Sequence, residues 1–260
     1  MPRENAVFVE VRRKEIINTV NKYGQVTVKE LCDQFDVSPA TIRTDLAELE
    51  AEHRLKRTHG GAIRYDNQSE HEPTSYEKID KFVNRKKSIA RAAVDYICPG
   101  DIIILDTGTT ILELAKLIVN IENLTVVTND LVIASYLEAN SDVTVILIGG
   151  TVRKYFHCTI GECVIDALDD LRVDTLFLAT NGVDIERGLS TPNMEMARIK
   201  NKLIQISSKT ILLADSSKIG DNTLAVFGKM EDVDIMVTDS CVEESFLQSA
   251  KDKNINVICV

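Results

Sequence analysis

The spacing of apolar positions changes twice along the chain. Between Val9 and Tyr23, Ile16, Ile17 and Val20 recur at helical spacing, and Gly24 ends the run. Two more helical periods follow within Val26 to Gly61: Val28, Leu31, Cys32 and Phe35, then Ile42, Leu46 and Leu49. Each period has a start signal. Thr27 stands three residues before Glu30, and Ser38 precedes Pro39, whose missing N–H is harmless at a first helical position. Asp36-Val37-Ser38 is too short a connection to let the two helices run antiparallel, so they must cross steeply. That pattern is a helix-turn-helix, whose second helix enters a DNA major groove by its N-terminal end. An ordinary helical hairpin would not call for the basic, alternating stretch that comes next, Arg54 to Tyr65. With Gly60-Gly61 at its turn, this stretch predicts a two-stranded wing. Residues 1–64 are thus expected to form a winged helix-turn-helix.

Residues 65–75 are polar, contain Pro73 and show no apolar period, which predicts a linker. A helix is expected over 76–97, with Ile89, Ala90, Ala93, Val94 and Ile97 facing a core and Lys81, Arg85, Lys86 and Lys87 on another side. From Pro99-Gly100 onward the period becomes that of short buried strands, at 101–106, 124–128, 143–148, 175–180, 210–215, 234–239 and 256–260. Helices are expected between them at 111–119, 131–139, 193–207 and 243–251. Apolar strands alternating with helices predict an α/β domain over 76–260, built on a doubly wound, mostly parallel sheet. Residues 181–195 read as a polar lid or specificity loop.

Composition sharpens this picture. The 260 residues carry a net charge of −10, which is unhelpful for binding DNA unless the charge is unevenly placed. Residues 1–64 hold 11 Lys/Arg against 10 Asp/Glu, so the acidity lies in the remainder. Positive charge in the first part must then be focused on one face; Arg43, Lys56, Arg57 and Arg64, joined by Arg12 and Arg13, are the candidates. The start of the chain is charged and lacks a signal-peptide core, and no apolar run approaches the roughly 18 residues of a membrane span. Cysteines 32, 98, 158, 163, 241 and 259 lack paired metal spacing, so a reduced cytoplasmic protein without metal or cofactor is expected.

Candidate chemistry sits at the helix starts and strand ends. For DNA the candidates are Ser38, Ala40, Thr41, Arg43 and Thr44 early in the second helix, and Arg57, Thr58, His59 and Gly60 at the wing. For a phosphorylated ligand they are Asp106, Gly108, Thr109 and Thr110, where glycine, hydroxyls and helix-start N–H groups meet. Neighbouring strand ends add Thr128 and Asn129, then Gly149 and Gly150. Asp215 and Lys218 follow another strand: the lysine suits a phosphate, the carboxylate sugar hydroxyls. No nucleophile–base set or metal cluster is evident, and no catalytic residue is assigned.

These residues resemble the DeoR family of bacterial sugar-metabolism regulators over nearly the whole chain. In the first part the resemblance rests on Arg13, Ile16, Val20, Ser38, Thr41, Ile42, Arg43, Asp45, Leu46, Leu49, Arg57, His59, Gly60 and Gly61. In the second it rests on Asp106-x-Gly-Thr-Thr, Val127-Thr-Asn, Gly149-Gly150 and Leu213-Ala-Asp-Ser-Ser-Lys218, a sensor domain similar to ribose-phosphate isomerases and CoA transferases. The resemblance implies a transcription repressor of a carbohydrate operon, binding operator double-stranded DNA as a homodimer or homotetramer and released by a phosphorylated sugar. An isomerase-like enzyme with a DNA-binding head, or an activator, remains open at this level. Asp184-Ile-Glu-Arg-Gly-Leu-Ser-Thr-x-Asn looks like the branch with N-acetylgalactosamine repressors, which implies an amino- or keto-hexose phosphate. One departure is His53, where the family usually has the glycine that a left-handed helix end favours.

Overall fold

The computed structural model describes residues 3–23, 25–52, 54–58, 60–64 and 72–260, with backbone alone at 3–8, 21–23, 64 and 76. The chain divides into two compact units, Met1–Gln68 and Ser69–Val260.

The first unit contains α1 (Arg3–Tyr23), β1 (Gln25–Thr27), α2 (Val28–Phe35), α3 (Pro39–Ala51), β2 (Leu55–Thr58) and β3 (Gly61–Arg64). Helix α2 opens on a complete capping box: the Glu30 N–H donates to Thr27 Oγ1 at 3.2 Å, and the Thr27 N–H donates to Glu30 Oε2 at 2.7 Å. Asp36 ends α2 in a left-handed conformation, which turns the chain sharply toward α3. The three strands pair in the order β1-β3-β2, all antiparallel. Gly61 is required by packing, since a Cβ there would lie 2.0 Å from the Val26 carbonyl oxygen. Ile16, Ile17, Val20, Leu31, Ile42, Leu46, Leu49 and Leu55 form the core, so the predicted apolar stripes all face inward.

The second unit continues with α4 (Ser75–Ile79), α5 (Val83–Val94), β4 (Ile102–Leu105), α6 (Thr109–Ala115), β5 (Thr125–Thr128), α7 (Leu131–Asn140), β6 (Thr144–Leu147), β7 (Thr151–Arg153), β8 (Cys158–Ile160), α8 (Glu162–Leu168), β9 (Val173–Leu178), β10 (Gly182–Asp184), β11 (Gly188–Thr191), α9 (Met194–Ile206), β12 (Ser207–Leu213), β13 (Ala225–Gly228), β14 (Ile235–Thr238), α10 (Glu244–Asp252) and β15 (Val257–Cys259). Seven strands form one parallel sheet in the order β15-β14-β12-β9-β4-β5-β6. All seven were expected as strands. Alternate residues point to opposite faces: Ile103, Leu105, Phe177, Ile211 and Val237 pack with α5, α6 and α7, while Ile104, Leu176, Leu178, Leu212 and Met236 pack with α8, α9 and α10. The chain leaves β4 toward β5 and β6, then returns to β9 on the other side. That reversal between β4 and β9 is the switch point at which such sheets open a ligand crevice.

Three expectations need correction. The helix expected over 76–97 is two helices, because Phe82 adopts φ 53 and α5 restarts there. Neither glycine nor proline marks that break, and the Lys86 ammonium from α5 donates across it to the Lys78 carbonyl of α4. Residues 181–195 are not a free lid; β10 and β11 form a hairpin that pairs with β13 in a second, antiparallel sheet. Residues 72–75, read as the end of a linker, are fixed to the second unit by hydrogen bonds from the Ser75 N–H and Oγ to the carbonyls of Tyr155 and Phe156, each 3.2 Å.

Candidate DNA-binding face and effector cavity

Helix α3 has one buried face and one bare face. Ser38 caps it, accepting from the Thr41 N–H at 3.2 Å, and Pro39 fills the first helical position. Ile42, Asp45, Leu46 and Leu49 point inward, which leaves Ser38, Ala40, Arg43 and Thr44 exposed and Thr41 half-buried. The buried Asp45 carboxylate accepts from Arg12 Nε at 2.6 Å and from Arg13 Nε at 2.9 Å. Arg12 and Arg13 therefore clamp α1 to the back of α3 and are not part of the outer basic face for which the sequence suggested them. At the wing Lys56, Arg57, Thr58 and Gly60 are exposed. Glu50 orients this strand by accepting from the Arg57 N–H at 2.8 Å. His53 and His59 lie outside the described residues. Taken together, the first turn of α3 and the outer strand of the wing expose hydroxyls, a guanidinium and backbone, the donor set used on bases and phosphates.

The second unit has a cavity at the switch point. Its floor is the turn after β4. Asp106 is fully buried, and its Oδ2 accepts from the Ala179 N–H at 2.9 Å and from the Lys200 ammonium; Lys200 also donates to the Ala179 carbonyl at 3.0 Å. This pair ties the ends of β4 and β9 together. Gly108 follows with φ 140, a conformation that side chains disfavour, and its N–H donates to Asp130 Oδ2 at 3.3 Å. Burial holds the Asp130 carboxyl at about 6, against hydrogen bonds from Ile133, Val132 and Gly108 that favour its charged form. The turn after β12 is fixed similarly: the Ser217 N–H donates to Asp215 Oδ1 at 3.1 Å, and Asp239 Oδ2 accepts from the Ser216 N–H at 2.7 Å. Arg85 braces it through Ser216 Oγ at 3.0 Å.

Of the residues expected at a ligand site, Gly108, Thr109, Thr110, Asp215 and Lys218 line this cavity. Asp106 stands behind its wall. Thr128, Asn129, Gly149 and Gly150 are not among the lining residues. Thr128 Oγ1 accepts from the Asp130 N–H, and Asn129 Nδ2 donates to the Thr159 carbonyl. A Cβ on Gly150 would lie 2.7 Å from Val164 Cγ2, so that glycine serves helix packing.

Sequence reasoning missed most of the cations. Lys78, Lys81, Lys86, Arg153, Lys200 and Lys218 all line the cavity, faced by the carboxylates of Glu72 and Asp215. Glu72 pairs with Arg153 at 2.6 Å and with Lys78 at 3.5 Å. Burial draws Lys78 down to about 8, assisted by Lys218 and Lys200 and opposed by Glu72; burial lowers Lys86 as well. Only Lys218 was among the expected site residues, while Lys200 carries a signal in the sequence that would have found it. It falls on the stripe of Met196, Ile199 and Leu203, where a lysine requires a buried partner. Lys78 and Arg153 sit in short elements without such a pattern.

Comparison with known proteins places both units. Residues 12–68 match the DeoR-like helix-turn-helix domain and residues 81–240 the DeoR C terminal sensor domain. This chain belongs to the DeoR family. An uncharacterized HTH-type transcriptional regulator, YulB of Bacillus subtilis, is 36% identical over 254 residues, covering 98% of each chain. The glycerol-3-phosphate regulon repressor of Escherichia coli K12 is 33% identical, covering 95% of this chain and 97% of its own. A putative aga operon transcriptional repressor of Escherichia coli O157:H7 is 32% identical, covering 96% and 93%. DeoR-family membership makes the protein an HTH-type transcriptional regulator, with the exposed face of α3 on its helix-turn-helix and most of the cavity lining within the matched sensor domain, Glu72, Ser75 and Lys78 preceding it. Among solved structures, ribose 5-phosphate isomerase A of Methanocaldococcus jannaschii is similar over 52% of this chain and 53% of its own, with a TM-score of 0.38 and 16% identity.

Proposed function

We propose that this DeoR-family regulator represses a carbohydrate-utilisation operon and leaves its operator when a phosphorylated sugar enters the sensor cavity. The observation that carries this reading is the charge of the cavity. Six cationic side chains meet the carboxylates of Glu72 and Asp215, and of the buried Asp106 that holds Lys200, and the remaining positive surplus suits a dianionic phosphate. Thr109, Thr110 and Lys218 are phosphate contacts within the same cavity as Lys78 and Arg153, and Asp215 accepts from sugar hydroxyls. Relatives named as repressors, one of a glycerol-3-phosphate regulon and one of an aga operon, support the sign of control.

On DNA, the side chains of Ala40, Thr41, Arg43 and Thr44 face the major groove, while Arg57, Thr58 and Gly60 grip the backbone at the wing. A homodimer or homotetramer sets two heads at one operator spacing. The ligand acts by binding the released arrangement more tightly than the operator-bound one. A thermal-shift screen tests the reading: at least one sugar phosphate should raise the melting temperature of the sensor unit where its unphosphorylated sugar does not. If phosphorylation made no difference across aldose, ketose and amino-sugar phosphates, the cavity would not be a phosphate sensor.

A further inference from the structure

The cavity already contains an anion, and that anion belongs to the chain segment next to the DNA-binding unit. Glu72 lines the cavity with its side chain 9% exposed. Its Oε2 accepts from Arg153 Nη2 at 2.6 Å, and its Oε1 lies 3.5 Å from both the Lys78 ammonium and Asn181 Nδ2. Arg153 itself sits over the Phe156 ring, its Cζ 3.7 Å from the ring centre. Ser75, three residues on, is bonded to the Tyr155 and Phe156 carbonyls of the same β7–β8 turn. In sequence, only residues 65–71 separate Glu72 from Arg64, the last residue of the wing.

We propose that Glu72 is the built-in counter-ion of the effector cavity and that the effector's phosphate displaces it, so that occupancy is read by the segment leading to the DNA-binding unit. This rests on the assignment of the cavity to a phosphorylated ligand. The driving force is a difference in charge. A carboxylate brings one negative charge to Arg153 and Lys78, whereas a phosphate brings nearly two and three acceptor oxygens. Lys200 is held by the buried Asp106, but Glu72 and Asp215 still face Lys78, Lys81, Lys86, Arg153 and Lys218, so the lining carboxylates leave the cluster under-neutralised. Entry of the dianion satisfies the cluster and frees Glu72 to solvent. Residues 72–75 then lose the ion pairs that fix their first residue to the sensor unit.

Glu72→Gln in the full chain tests this, because it keeps the size of the side chain and removes the charge. Isothermal titration at pH 8 with inorganic phosphate, and with the sugar phosphate that gives the largest thermal shift, should show binding about tenfold tighter than wild type, the scale of one lost charge-assisted contact. Without ligand the variant should bind operator about tenfold more weakly, since its segment is already released. Glu72→Asp, which keeps the charge but shortens the reach, should fall between the two and serves if Glu72→Gln does not fold. Phosphate affinity equal to or below wild type in the variants would overturn the displacement. Tighter phosphate binding with unchanged operator affinity would overturn the link to the DNA-binding unit. If wild type and variants alike bound no phosphate, the failure would lie in the assignment of the cavity itself.

Discussion

Lys78 concentrates the electrostatics of the cavity in one titration. Its ammonium is drawn from the ordinary 10.5 to about 8, chiefly by burial, with Lys218 and Lys200 acting the same way and Glu72 in opposition. Because the folded value is the lower one, the cost of holding this charge is fully present below about pH 8. It is relieved as the pH rises from there toward 10.5. A bound dianion reverses the shift. Effector binding at pH 8 to 9 should therefore take up a fraction of a proton, visible as a binding enthalpy that changes with the ionisation enthalpy of the buffer. A buffer-independent enthalpy at that pH would mean that Lys78 does not face the ligand's charge. At the other site Arg43 is exposed on α3 and away from the core, so Arg43→Ala should leave the melting temperature unchanged. Operator affinity should fall by about 1–3 kcal/mol, the range for a base-contacting arginine. Normal operator binding by that variant would remove Arg43 from the interface.

At the scale of elements, the recognition helix is set by its inner face. Asp45 is buried on α3 between Arg12 and Arg13, whose side chains are 13% and 22% exposed. Removing the carboxylate takes the Asp45 acceptor from both partly buried guanidinium groups and leaves Arg13 with Glu48 alone. Asp45→Ala should lower the stability of the DNA-binding unit by about 2–3 kcal/mol, reduced from the cost of a fully buried pair because solvent reaches both arginines. A calorimetric scan checks this: the DNA-binding transition should move down while the sensor transition stays. Equal movement of both, or of neither, would contradict the clamp.

The elements themselves were legible wherever one physical signal dominated. Capped, periodic helices marked α2 and α3, and short runs rich in apolar residues marked all seven parallel strands. What stayed illegible depends on partners distant in sequence. Strands β10 and β11 look polar, yet Ser190 and Thr191 are buried because Ser190 Oγ accepts from the Thr223 N–H and Thr191 Oγ1 donates to Asn181 Oδ1. The break at Phe82 carries no glycine or proline, and its left-handed backbone leaves no mark in the sequence. The site was legible by halves for the same reason. Glycine, threonine and aspartate at strand ends marked the floor, while Lys78, Arg153 and Glu72 become neighbours only once α4, β7 and the segment before Ser75 have come together.

For the whole molecule, the uneven charge defines how the two units divide the work. The first 64 residues are nearly neutral and the remainder is strongly acidic, so general attraction to DNA is weak and operator binding depends on a small focused face. Such a complex is readily shifted by a modest change in the sensor unit. In the proposed function a phosphorylated sugar in the cavity controls the hold on DNA. This control is tested most directly by the fluorescence anisotropy of a labelled operator, obtained by selection from random duplexes, titrated with the effector. Wild type and Lys218→Ala should bind this duplex equally well without effector. The effector should release wild type, whereas the variant should need at least about tenfold more, the loss of one charge-assisted phosphate contact. Equal release of the two proteins at the same effector concentration would contradict the account.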